Sequence, residues 1–223
     1  MSSRLLFPDA HAARDAVTFA GRAATLGADA VVRLRAAAGT LVMSTAALAP
    51  RTLLDDVPTV LALRALPVDP ELECDLVVTA PGVAATDDPC ALALPATAVS
   101  APWAGIAPPQ RGWRRYGEIP ASVLAARAQW GMSAVAHALP ADAGEELVRS
   151  VRGRVWGEDD DRLDALPRAV AFAAATLGFI HGEEAAVIRE APGWVRVTLR
   201  RGHVLVRRTV RSGLTPVRRT GNG

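Results

Sequence analysis

The sequence predicts an α+β fold: a mainly antiparallel sheet of N-terminal strands plus a C-terminal hairpin, packed against a central apolar helix and two further helices. Three observations predict it. Strand-like runs of β-branched and apolar residues stand at both ends of the chain, with a helical stretch between them. The segment Trp194-Val-Arg-Val-Thr-Leu-Arg-Arg-Gly-His-Val-Leu-Val-Arg-Arg-Thr-Val-Arg211 alternates apolar and basic residues about Arg201-Gly202, the pattern of a two-stranded hairpin. The run from Ala169 to Ile180 is apolar nearly all round, as a buried helix is. At 223 residues the chain can bury a full core, and with ten aromatic residues that core must come from Val, Leu and Ala.

Each element has a local reason. Arg4 to Phe7 reads as a short strand. Pro8-Asp9 opens a helix to about Leu26, with Gly27 as its stop and Ala12, Val17, Phe19, Ala20 and Ala23 as its apolar stripe. Ala30 to Ala38 and Leu41 to Ala46 form a hairpin about a Gly39-Thr40 turn; Arg33 and Arg35 share one face, Val32 and Leu34 the other. Thr59 to Leu66 and Cys74 to Thr79 are further strands. Leu92 to Val99 is a weaker one, which Pro95 places at an edge. Ala101 to Pro120, with four prolines and three glycines, reads as a connecting segment. Helices follow over Ala121–Leu139, from Pro140-Ala-Asp-Ala to about Val151, and over Leu166–Ile180, ended by Gly182. The acidic run Glu158-Asp-Asp-Asp161 precedes that last helix, where acids suit its dipole and unpaired N–H groups.

The organisation is therefore a β-rich half (1–100), a Pro/Gly/Trp connecting segment (101–120), a helical region (121–182), the C-terminal hairpin (183–212) and a mobile tail (213–223). One composite domain is the reading; two domains meeting in 101–120 is the alternative. No internal repeat is visible.

Charge is uneven. Residues 189–223 hold nine arginines and one acid, while the other 188 residues hold sixteen arginines and 22 acids. All 25 basic residues are arginine, which fits a GC-rich genome. Without lysine there is no lysine Schiff base, phosphate-loop lysine or lysine nucleophile. That removes pyridoxal-phosphate enzymes, class I aldolases and Walker-type nucleotide hydrolases. Two cysteines, Cys74 and Cys90, make neither a disulfide scaffold nor a four-thiolate zinc site. No signal-peptide core stands at the N-terminus, and the most apolar run falls short of the ~20 residues a membrane span needs. A cytoplasmic protein without a membrane partner is the expectation.

Two segments carry the candidate sites. A two-residue turn at Arg201-Gly202 sets Arg200 against His203, Arg196 against Arg207 and Trp194 against Thr209. Arg196, Arg200, His203, Arg207 and Arg211 then share one surface with Trp194. Like charges across strands repel, so this face wants an anion. Glu183, Glu184 and Asp159–Asp161 of the same chain, an acidic patch of a second copy, another protein, a ligand phosphate or nucleic acid would each serve. Nucleic acid is the least favoured of these, because only Trp194 interleaves with the arginines and no recognition motif appears. The second candidate is a ligand or interface loop, Trp103, Trp113, Arg114, Arg115 and Tyr116, which holds three of the ten aromatic residues. The simpler reading is that its aromatics anchor an irregular crossing over the core.

No catalytic residue, metal site or cofactor is assigned. Gly-x-Ser-x-Gly, Ser-x-x-Lys, His-Glu-x-x-His and Gly-x-Gly-x-x-Gly are all missing. His11 and Asp15 stand i, i+4 on a helix with no third ligand; His137 and His181 lie at helix ends, where the dipole favours them. Asp55-Asp56 and Asp87-Asp88 precede prolines and read as turns.

Gly112-Trp113-Arg114 with Gly117-Glu-Ile-Pro120, Val155-Trp156-Gly157, Ala171-Phe-Ala-Ala with Leu177-Gly-Phe179, and Arg201-Gly-His-Val-Leu-Val-Arg207 resemble a family of actinobacterial proteins of similar length and unknown function. The resemblance spans roughly 100–210. It implies that Gly202 and His203 belong to a defined turn, and it brings no activity, cofactor or catalytic residue. The functional reading is a binding or interaction protein using the cationic hairpin face, with another protein or a second copy (a homodimer) as partner. The alternatives are a small-molecule anion site or enzyme near Trp103–Tyr116, and weak nucleic-acid binding.

Overall fold

The computed structural model describes residues 4–52 and 55–207. Its first half runs β1 (Arg4–Leu6), α1 (Ala10–Ala24), β2 (Val31–Ala37), β3 (Thr40–Leu48), β4 (Thr59–Pro67), β5 (Cys74–Thr79), β6 (Ala84–Ala85) and β7 (Ala91–Ala93). The second runs β8 (Arg114–Pro120), α2 (Ala121–Ala138), α3 (Glu145–Gly157), β9 (Asp159–Asp160), β10 (Leu166–Pro167), α4 (Ala169–Thr176), β11 (Ala185–Ala191), β12 (Trp194–Leu199) and β13 (Gly202–Arg207). Eight strands form one antiparallel sheet in the order β5-β2-β3-β4-β13-β12-β11-β8. β4 and β13 pair at its middle, so the C-terminal hairpin joins the N-terminal strands side by side, and each half adds a three-stranded meander. The α+β class, and a sheet drawn from both ends of the chain, are as the sequence predicts.

Alternation assigns the faces. Val60, Ala62, Val195, Val197, Val204 and Val206 are buried in the main core with residues of α1, α2 and α4. Leu61 and Leu205, one residue out of phase, belong to a second apolar cluster on the other side. α4 crosses the β4–β13 seam, and Ala169 through Ala174 are all buried. Asp9 caps α1 by accepting the N–H groups of His11 and Ala12, both at 2.8 Å.

Several boundaries differ from expectation for physical reasons. The β2–β3 turn is Ala38-Gly39, at φ +47° and +75°, one residue earlier than Gly39-Thr40. α4 stops at Gly178, not Gly182: Gly178 (φ +66°) bonds back to Ala175 and Phe179 to Ala174, which closes the helix end, while Leu166-Pro167 pairs with β9. Pro140-Ala-Asp-Ala is a turn, and α3 begins at Glu145 and runs on to Gly157. β7 ends before Pro95 and lies between β1 and β6, so it is the middle strand of a small sheet. The end of the connecting segment is β8, the outermost strand of the large sheet. The acidic run does not cap α4. Asp160 instead accepts from Arg127 Nε at 2.7 Å and from Arg168 Nε at 3.1 Å. No helix among the described residues is long and apolar enough to cross a membrane.

Candidate functional site

The sheet face opposite the helices brings the two candidate segments together. Arg115 on β8, Arg189 on β11 and Arg196 on β12 stand side by side, followed across the sheet by Leu205 and Leu61. A β-bulge at Ile188/Arg189 skips Tyr116 and sets Arg115 opposite Arg189. Tyr116 packs against the main core instead. In the next row Thr198 faces His203, with Nδ1 and Oγ1 3.2 Å apart.

Register neighbours on one face sit about 5 Å apart at Cβ, so three guanidiniums in a row repel one another. Only the outermost is neutralised there: Arg115 pairs with Glu118. Arg189 and Arg196 make no ion pair among the described residues. Arg196 lies half-buried, its guanidinium 4.5 Å over the Trp113 ring, and its buried Nε has no acceptor among the described residues. Burial first, then the charge of Arg189, pulls its pKa below the arginine range. The His203 imidazole is pulled below its usual 6.5 by burial, then by Arg196 and Arg189. It is therefore neutral at neutral pH.

The tryptophans close this face. Trp103 and Trp194 are buried with Leu61, Ala104 and Leu205. Trp113 donates from Nε1 to Pro109 O at 2.8 Å, which fixes the ring that carries Arg196. Arg33 ties the 101–106 stretch down, donating to Ala104 O at 2.5 Å while Asp75 takes its other two nitrogens at 2.7 Å each. The space between this segment and the sheet is thus filled by indole. Two clefts of about 280 and 220 Å³ lie against α1 and share no residue with the arginine row.

The hairpin register is two residues off the expected one. The turn is Arg200-Arg201; Leu199 pairs with Gly202, Arg196 with Leu205, and Trp194 with Arg207. Arg196 therefore does not face Arg207, nor Arg200 His203. Gly202 lies in the strand because the Phe179 ring occupies the space of its missing side chain: a Cβ there would come within 2.5 Å of Phe179 Cε1 and Cζ. A shift of two keeps every side chain on its predicted face and changes only its partner. Arg200 leaves the surface for the turn, where its N–H donates to Glu184 at 2.9 Å. Arg114 pairs with Glu190, and Arg207 is exposed. Arg211, Thr209 and the 213–223 tail lie outside the described residues. Asp160 and Glu184 are engaged away from this face.

Sequence reasoning missed Arg189. The signal was present: Val187-Ile-Arg-Glu-Ala191 ahead of Pro192-Gly193 is a strand and tight turn leading into Trp194. Among the described residues, no cluster of three His, Cys, Asp or Glu side chains is placed to hold a metal.

Two family models match the chain in succession. Residues 1–105 match a domain of unknown function (DUF8010), and residues 108–211 match a second (DUF8185). Each match covers just under half of the chain. The two matches divide within the connecting segment, the DUF8010 match ending after β7 and the DUF8185 match opening just before β8. The arginine row belongs wholly to the DUF8185 part, while Trp103 comes from DUF8010. No curated protein matches the chain. Among solved structures, a "Putative DNA polymerase III beta subunit" from Eubacterium rectale is similar at a TM-score of 0.47 and 8% identity over 92% of this chain. The chain spans 64% of that structure's length.

Proposed function

We propose that the protein is a non-enzymatic interaction module whose Arg115–Arg189–Arg196 row docks an acidic segment of a protein partner, another protein or a second copy. The observation that carries this is the row itself: Arg189 and Arg196 stand adjacent, with no carboxylate paired to either among the described residues. Such an arrangement is unfavourable alone and becomes favourable when an anion lies across it. Protein is favoured over nucleic acid because bases need open aromatic faces. Trp103 and Trp194 are buried, and Arg196 covers Trp113. A small-molecule site beneath the Trp103–Tyr116 segment is disfavoured because Trp103 fills that space.

Charge reversal tests it. Arg115→Glu with Arg189→Glu should weaken binding of a labelled oligoglutamate peptide by about tenfold or more while leaving the melting temperature near wild type. Equal binding by both proteins would remove the proposal. Light scattering on the same pair separates the two partners: a wild-type dimer that the variant dissociates identifies a second copy.

A further inference from the structure

We propose that the cleft beside α1 binds a small phosphate-bearing anion. It measures about 280 Å³ and lies between α1, β4, the turn after α4 and the β12–β13 turn, so both halves of the chain build it. His11, Asp15 and Arg22 line it from one helix, Arg64 from β4, Gly178 and Arg201 from the two turns. Among the described residues, three guanidiniums thus share it with a single carboxylate.

The donors outnumber what the protein supplies. Arg64 gives one nitrogen to Asp15 and another to the Arg201 carbonyl, and its buried Nε has no acceptor among the described residues. Arg22 donates NH1 to Leu177 O at 2.9 Å. Its guanidinium occupies the place a side chain on Gly178 would take, so the left-handed glycine that ends α4 also makes room for this arginine. The arginine is positioned by the fold, and among the described residues its other nitrogens have no hydrogen-bond acceptor.

Charge and size select the ligand. Three guanidiniums against the Asp15 carboxylate leave an excess of two positive charges, matching a phosphomonoester at about −1.5 to −2. Planar guanidiniums suit phosphate oxygens in paired hydrogen bonds. The volume falls just below the roughly 300–1,000 Å³ of drug-sized sites, which suits a phosphate with at most a short body.

Phosphorus-31 NMR and calorimetric titration with inorganic phosphate test this, with acetate at equal ionic strength as the comparison. Wild type should bind phosphate saturably and in preference to acetate. Arg22→Gln and Arg201→Gln should each weaken phosphate by about tenfold, the loss of one charge-assisted contact. Arg201 holds Arg64 through its backbone carbonyl, so its substitution leaves that bond in place; it decides the matter even if Arg22→Gln does not fold. Arg149→Gln, on α3 and outside both the cleft and the arginine row, should leave phosphate binding unchanged. Absence of saturable binding, equal binding of acetate, or wild-type affinity in Arg201→Gln would overturn the proposal.

Discussion

Replacing Gly202 by alanine tests the hairpin register at one atom. The added Cβ would lie 2.5 Å from Phe179 Cε1 and Cζ and 2.7 Å from Cδ1. Carbon atoms pack at about 3.5–4.0 Å, so the ring must move by an ångström or so. It has nowhere to go: Phe179 is fully buried and stacks on Phe19 at 6.4 Å between centroids. Overpacking of this kind costs about 1–3 kcal/mol, and a clash with three ring atoms belongs at the upper end, ~3 kcal/mol. For a chain of this size that lowers Tm by roughly 6–12 °C, read by calorimetry or by urea unfolding. Phe179→Leu removes the obstructing ring, so the double variant should be at least ~1 kcal/mol more stable than the sum of the single losses. A Gly202→Ala protein within ~0.5 kcal/mol of wild type, or strict additivity with Phe179→Leu, would refute the reasoning.

Two further perturbations follow from buried charge. His203 has its folded pKa below 6.5, so the unfolded chain binds more protons in the window beneath that value, and stability falls as pH drops through it. His203→Gln should flatten this limb, and Arg189→Gln should raise the His203 midpoint in an NMR titration; a midpoint at or above 6.5 in wild type would contradict both. For Asp160, burial alone would raise the pKa, but hydrogen bonds from Arg168, Arg127 and the Arg162 N–H hold it below the usual carboxylate value. Its contribution is complete above ~4 and is lost as pH falls through the lowered pKa. Asp160→Asn leaves Arg127 and Arg168, whose side chains are 15% and 14% exposed, without that carboxylate. A loss of ~2–4 kcal/mol at pH 7 is expected by chemical unfolding, and an unchanged midpoint would be wrong for this arrangement.

What the sequence revealed depended on whether a signal was local. Asp9 as a cap, the α1 stripe and the alternation of β12 and β13 are written in consecutive residues, and they placed the faces. The exact pairing of β12 with β13 was not legible, because the residue that sets it, Phe179, is distant in sequence. A glycine beside the turn looked like a turn glycine, when its role is to clear an aromatic ring. β8 was hidden for a similar reason: its alternation is broken by a bulge at Tyr116 and sits in proline- and glycine-rich surroundings. Without β8 and β11 in register, Arg115 and Arg189 had no visible connection to Arg196. The acidic run looked like a helix start, and only the folded chain brings Arg127 and Arg168 to Asp160.

The arginine row as a docking surface is the central claim, and mapping by NMR tests it most directly. Oligoglutamate peptide is titrated into the nitrogen-15-labelled protein while the backbone amides and the arginine Nε–H signals are followed. Saturable shifts are expected that are confined to β8, β11 and β12, led by Arg189 and Arg196, and lost in the Arg115→Glu, Arg189→Glu variant. Shifts centred on another surface, or retained in that variant, would contradict it.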